Sequence, residues 1–175
     1  MATADDTVAR LFWRATRERG DTIAMRRKSL GIWQGVTWRE AGERVRGIAG
    51  ALLVHGVGRG ERVAIISQNR PEWLFADLAA QGVGAIGAGI DPAADVAPGL
   101  RASGARIVFV ENDEQLDKVL RARPGLPAVT RIVVFDMEGL FGFQDADVTS
   151  FADFAAAGEA WNAANPGAVE AALAA

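Results

Sequence analysis

Four short apolar runs, RVAIIS (62–67), GAIGAGI (84–90), RIVFVE (106–111) and RIVVFD (131–136), recur along the chain. Runs of this length, rich in β-branched residues and bounded by glycine or polar clusters, predict strands buried on both faces, as in a parallel sheet. Between them the apolar residues fall three or four positions apart, the spacing of helices that bury one stripe. Ahead of them, TIAMRR and GIWQGVTW flank KSLG, a connection too short for a crossover, so these two runs predict an antiparallel hairpin. The predicted fold class is therefore α/β: an incomplete doubly wound, mainly parallel sheet flanked by helices, with a small N-terminal antiparallel hairpin.

The helix boundaries carry their own signals. Val8, Leu11, Phe12 and Ala15 share a face after the capping candidates Asp5 and Asp6, and Gly20 supplies a stop. Thr37 and Glu40 stand at capping-box spacing, followed by the stripe Trp38, Ala41, Val45, Ile48, Leu52 and Leu53 up to Gly56. A mostly apolar helix is expected from Pro71 to about Val83. A further helix begins at Asn112 and Gln115, and a short one through FADFAAAGEAW begins at Ser150 and Asp153. Pro98-Gly99 within AADVAPGLRA predicts that a helix there is broken or reduced to a turn. The small residues after Trp161 predict a domain over 1–160 and a linker or frayed tail over 161–175.

Composition narrows the chemistry. At 175 residues, half of them hydrophobic, the chain can bury one sizeable core. A net charge of -3 gives no footprint for nucleic acid or for an anionic membrane. With no cysteine and one histidine, His55, there is neither a thiolate nucleophile nor a cysteine or histidine metal cluster. The charged, amphipathic start lacks the apolar core of a signal peptide, and no apolar stretch is long enough to span a bilayer, so a cytoplasmic location is expected.

Four features invite a functional reading. Gly82, Gly84 and Gly87 spell G-x-G-x-x-G, but they leave a helix and enter a strand, the reverse of a dinucleotide site, so close packing is expected instead. Glu111, Asp113, Glu114 and Asp117 could hold magnesium, or could simply complement a helix N-terminus. His55 could be a general base, or could complement a helix C-terminus. SQNRPEW (67–73) sits beyond the carboxyl end of a predicted parallel strand, where open α/β sheets face their ligands. In it Asn69 and Glu72 have capping spacing, Pro71 suits a first helical turn, Trp73 begins a buried face, and only Arg70 has no structural task.

From about Leu11 to Asp136 the ordered series of these segments resembles the beginning of AMP-forming acyl-CoA synthetases, in the adenylate-forming superfamily. GIWQGVTWRE, RVAIISQNRPEWLFADLAAQGVGAI and IVFVENDEQLDKVL are most similar to the long-chain fatty acid–CoA ligase branch. The resemblance implies activation of a fatty acid with ATP and magnesium to an acyl adenylate, then displacement of AMP by coenzyme A. It also implies a phosphate-cradling loop of the type Y-T-S-G-T-T-G-x-P-K and a lysine in a mobile C-terminal domain, and neither is among these 175 residues. The chain alone is therefore expected to be inactive and to bind no cofactor itself, with no catalytic residue of its own. Asn69, Arg70 and Trp73 would wall the acyl or adenylate cleft of the complete enzyme. Two other readings compete: a free-standing binding or homodimerising module using Trp13, Trp33, Trp38, Trp73 and Phe75, and an independent nucleotide-binding protein.

Overall fold

The computed structural model describes residues 7–174, apart from the side chain of Ser29. Helix α1 (Val8–Arg19) is capped by Thr7, whose side chain accepts from the Arg10 N–H. The candidates Asp5 and Asp6 lie outside the described residues. Strands β1 (Ile23–Ser29) and β2 (Ile32–Thr37) form the antiparallel hairpin, and five further strands form one parallel sheet. These are β3 (Arg62–Ile66), β4 (Ile86–Ile90), β5 (Ile107–Val110), β6 (Arg131–Val134) and β7 (Val148–Ser150), in the order β4-β3-β5-β6-β7. The three-residue β7 had no sequence signal. It holds its place by pairing with β6, Val133 opposite Thr149.

The alternation of side chains along the strands divides the core in two. Val63, Ile65, Ile107, Phe109 and Val133 face α2 (Trp38–Val54), α3 (Pro71–Gly82) and α6 (Phe151–Ala164). Ala64, Ile66, Val108, Val110, Ile132 and Val134 face α4 (Val96–Ser103) and α5 (Asp113–Ala122). Both faces are dry, which is why these runs read as continuous rather than alternating.

Helix α2 starts with the capping box foreseen at Thr37 and Glu40, and Asn112 and Ser150 cap α5 and α6. One expectation fails. Helix α4 forms where Pro98-Gly99 was expected to break it. Pro98 is the third residue of that helix, so its missing N–H is one that has no intrahelical partner anyway, and Asp95 caps the Ala97 N–H. Gly99 lets the helix settle on β4, since a Cβ there would meet Ile90 at 3.3 Å. His55 is the C-cap residue of α2. Its ring stacks on Phe154 at 5.6 Å, and burial first, then the Arg131 charge, push its pKa below the ordinary value.

That depressed pKa has a sign. The unfolded imidazole takes up its proton first as pH falls below about 6.5, so stability is lost from there down through the folded pKa. Urea midpoints should therefore drop between pH 7.5 and pH 5 by an amount that shrinks in His55→Gln. Identical drops in both proteins would show that the folded state does not hold the imidazole neutral.

Residues 161–174 comprise the end of α6 and a further helix, α7 (Ala168–Ala174). Val169 of α7 is buried, and Glu170 forms an ion pair with Arg46 of α2.

Candidate functional site

The strand order reverses direction between β3 and β5: the chain moves from β3 out to β4, then returns to the other side of β3. At such a switch point the loops after the two strands diverge and leave a crevice. The loops are Ser67–Arg70 after β3 and Glu111–Asn112 after β5. The Glu111 N–H continues the ladder to the Ile66 carbonyl at 3.0 Å, while its carboxylate accepts from the Gln68 N–H at 2.7 Å. Glu111 thus ties the two loops together. Its position directly after a predicted strand was the available signal, and sequence reasoning weighed it only as part of a magnesium site or as acid at a helix N-terminus.

Arg70 is the centre of this end of the sheet. Its Nε donates to Glu72 at 2.7 Å, its Nη1 lies 4.0 Å from Glu111, and its guanidinium sits over the Phe135 ring at 5.5 Å from the centroid. Glu72 also accepts from Arg27 of the hairpin at 3.1 Å. Burial alone would raise the Glu72 pKa, but the hydrogen bond from Arg70, one from its own backbone N–H and the two arginine charges outweigh it and hold the carboxyl below its ordinary range. Here the local reading fails: Asn69 does not cap α3. Arg70 is the N-cap residue and makes no side-chain cap bond, and the Glu72 carboxylate is paired with Arg70 and Arg27. The residue that had no structural task has three partners.

Asn69, Arg70 and Trp73 line one groove of about 610 Å³, together with Met25, Arg27 and Lys28 of the hairpin. Trp73 is half-buried, and its ring lies where a Cβ on Gly89 of β4 would approach within 3.4 Å. Asn69 is exposed on the rim. A second groove, of about 580 Å³, runs between α1 and the hairpin past Trp38, Leu74 and Leu78. None of its lining residues belongs to the Ser67–Arg70 or Glu111–Asn112 loops at the switch point, so the first groove is the better candidate.

The other groups singled out for chemistry have partners of their own. Ser67 is buried and its hydroxyl donates to the Gln68 carbonyl at 2.9 Å. His55 precedes β3 and so lies at the other end of the sheet, out of reach as a base for it. The acidic cluster is dispersed: Asp113 accepts from the Glu114 N–H, Glu114 pairs with Lys118, and Asp117 pairs with Arg121. No group of three or more potential metal ligands occurs among the described residues. The glycine run does leave α3 for β4, and each member serves contact or turning. A Cβ on Gly82 would lie 3.3 Å from Trp13 Nε1, Gly84 has φ 76°, and a Cβ on Gly87 would overlap the carboxylate of Asp77. Of the five aromatic residues proposed as surface, Trp13 and Phe75 are buried, Trp38 and Trp73 half-buried, and Trp33 exposed.

A profile of the AMP-binding enzyme family matches residues 11–167, almost the whole chain. The chain belongs to that family. It matches the N-terminal portion of acyl-CoA ligases. It is 32% identical over 131 residues to a long-chain-fatty-acid–CoA ligase of Mycobacterium bovis, a match that covers 73% of this chain and 22% of the ligase. Its structure is similar to that of a long-chain-fatty-acid CoA ligase from Rhodopseudomonas palustris, with TM-score 0.72 and 25% identity over 87% of this chain and 37% of the other. It also shares its fold with the A domain of a carboxylic acid reductase from Segniliparus rugosus, solved with AMP and a co-purified carboxylic acid. There the TM-score is 0.75 at 20% identity, over 91% of this chain and 31% of that one. The chain thus spans about a fifth to a third of the relatives it matches. Among the described residues, no helix is long and apolar enough to cross a membrane.

Proposed function

We propose that this chain is the first α/β portion of a long-chain acyl-CoA ligase, and that it supplies one wall of the acyl or adenylate cleft through Asn69, Arg70 and Trp73. The observation that carries the reading is the groove: the three residues converge on it beside the switch point, within the family match. The 32% identity to the mycobacterial ligase supports a long-chain fatty acid as the substrate. Trp73 offers a flat apolar face for a chain, and Arg70, already neutralised by Glu72, can keep its position without attracting free anions. ATP, magnesium and coenzyme A belong to the complete reaction. When bound they supply the adenylation and the thiol displacement, and these residues orient the carboxylic acid and exclude water from it.

On this reading the 175 residues alone give no palmitate-dependent ATP–pyrophosphate exchange above background, and clear turnover would overturn that part. The wall itself is tested by grafting the chain in place of the matching segment of the mycobacterial ligase. Trp73→Ala in that chimera should raise KM for palmitate by roughly tenfold with kcat little changed, the signature of lost uniform binding. An unchanged KM would remove Trp73 from the cleft.

A further inference from the structure

The tip of the β1–β2 hairpin has a composition that the fold does not require. Leu30 and Gly31 form its two-residue turn with φ 49° and 80°. Such a turn favours asparagine or glycine at both positions, and a leucine in the left-handed region is disfavoured. Leu30 is the one non-glycine residue with positive φ among the described residues, and it is 99% exposed. Ile32 and Trp33 beside it are 68% and 65% exposed. None of the three adds to the core.

Charge shows what would cover them. Residues 23–37 contain Arg26, Arg27 and Lys28 and no acidic residue, in a chain whose net charge is -3. The register places Lys28 opposite Trp33 and Arg26 opposite Gly35, so both cations share a face with the tryptophan. Arg27, on the other face, is tied to Glu72, and Arg26 and Lys28 also border the candidate groove, so the docking face adjoins it. A protruding apolar tip beside an indole and two exposed cations is the pattern of an interfacial anchor: apolar side chains enter the acyl boundary, tryptophan stays at headgroup level, and cations meet lipid phosphates. A second copy of the chain fits less well, because a two-fold contact through this face would set its cations against their own copies.

We propose that the β1–β2 hairpin docks the protein on an anionic phospholipid surface through Leu30, Ile32, Trp33, Arg26 and Lys28. The inference does not rest on the ligase reading. It is tested by co-sedimenting the full chain with vesicles of phosphatidylcholine alone or of phosphatidylcholine mixed with phosphatidylglycerol. Binding is expected to the mixed vesicles and to weaken as salt rises. Arg26→Ala with Lys28→Ala should weaken it roughly thirtyfold, at about 1 kcal/mol for each cation near the surface. Leu30→Ser with Trp33→Ser should weaken it roughly tenfold or more through lost insertion. All these side chains are exposed, so far-UV circular dichroism should report unchanged folding in the variants. Equal binding to neutral vesicles, variants that bind like the parent, or no vesicle binding with a dimer abolished by Leu30→Ser would each overturn the proposal.

Discussion

Gly158→Ala is expected to destabilise the protein by about 3 kcal/mol, at the upper end of overpacking costs, and to lower Tm by roughly 10 °C. The reason is the closeness of α6 to α2. A Cβ on Gly158 would overlap the carbonyl oxygen of Gly47 and the amide nitrogen of Ala51, with the Gly47 carbonyl carbon only 2.9 Å away. These are backbone atoms of a helix and cannot rotate aside, so the two helices must separate. Gly50 meets the same interface from the other side, since a Cβ there would lie 2.6 Å from the Gly158 carbonyl oxygen. Separation would also pull Asn162 from the Arg46 carbonyl, which its side-chain amide reaches at 2.8 Å. Gly125→Ala is the control, because nothing lies within 4 Å of its added carbon. Urea denaturation of the two variants decides the matter: equal midpoints would mean that α6 does not lie on α2 as described.

Phe109→Ala should cost about 4 kcal/mol and also disturb the candidate site. Phe109 is fully buried on β5 and forms the hub of an aromatic cluster. Its ring lies 6.0 Å from Phe135, 6.4 Å from Phe151 and 5.7 Å from Phe154. Phe135 in turn supports the Arg70 guanidinium. The cavity left by the missing ring would therefore loosen the platform under Arg70 as well as remove buried area. Two measurements separate these effects. The urea midpoint should fall, and the near-ultraviolet circular dichroism of the remaining aromatics should weaken even in the folded baseline. Phe109→Leu should recover most of the stability, because it refills most of the volume. A parent-like midpoint for the alanine variant would show that the cluster does not close the core.

Much of the architecture was legible because its causes are local. The runs at 62–67 and 106–111 are apolar on both alternations, and a strand buried on both faces has to be. Thr37, Asn112 and Ser150 stand beside the amides that they cap, so spacing alone located those helix starts. The predicted break at Pro98 failed for want of a boundary. A proline costs a helix dearly in its interior and almost nothing in its first turn, and only the position of Asp95 as cap decides between the two.

The candidate site was legible as a place and not as a set of interactions. A polar loop behind a buried strand marks the carboxyl edge of a sheet, and that much follows from the order of residues. Arg70 shows what does not. Its partners come from the next residues, from the loop after β5 and from just beyond β6, and its neighbour Glu72 also pairs with a cation on the hairpin. The sequence by itself determined the fold class, the order of the hairpin, the four central strands and most of their helices, and the family, all of which are written in local periodicity and ordered motifs. The tertiary structure alone decided which charges pair, what packs against the single histidine and which aromatics remain exposed. Those outcomes depend on burial and on distances between residues far apart in the chain, where the strongest available partner wins whatever its separation in sequence.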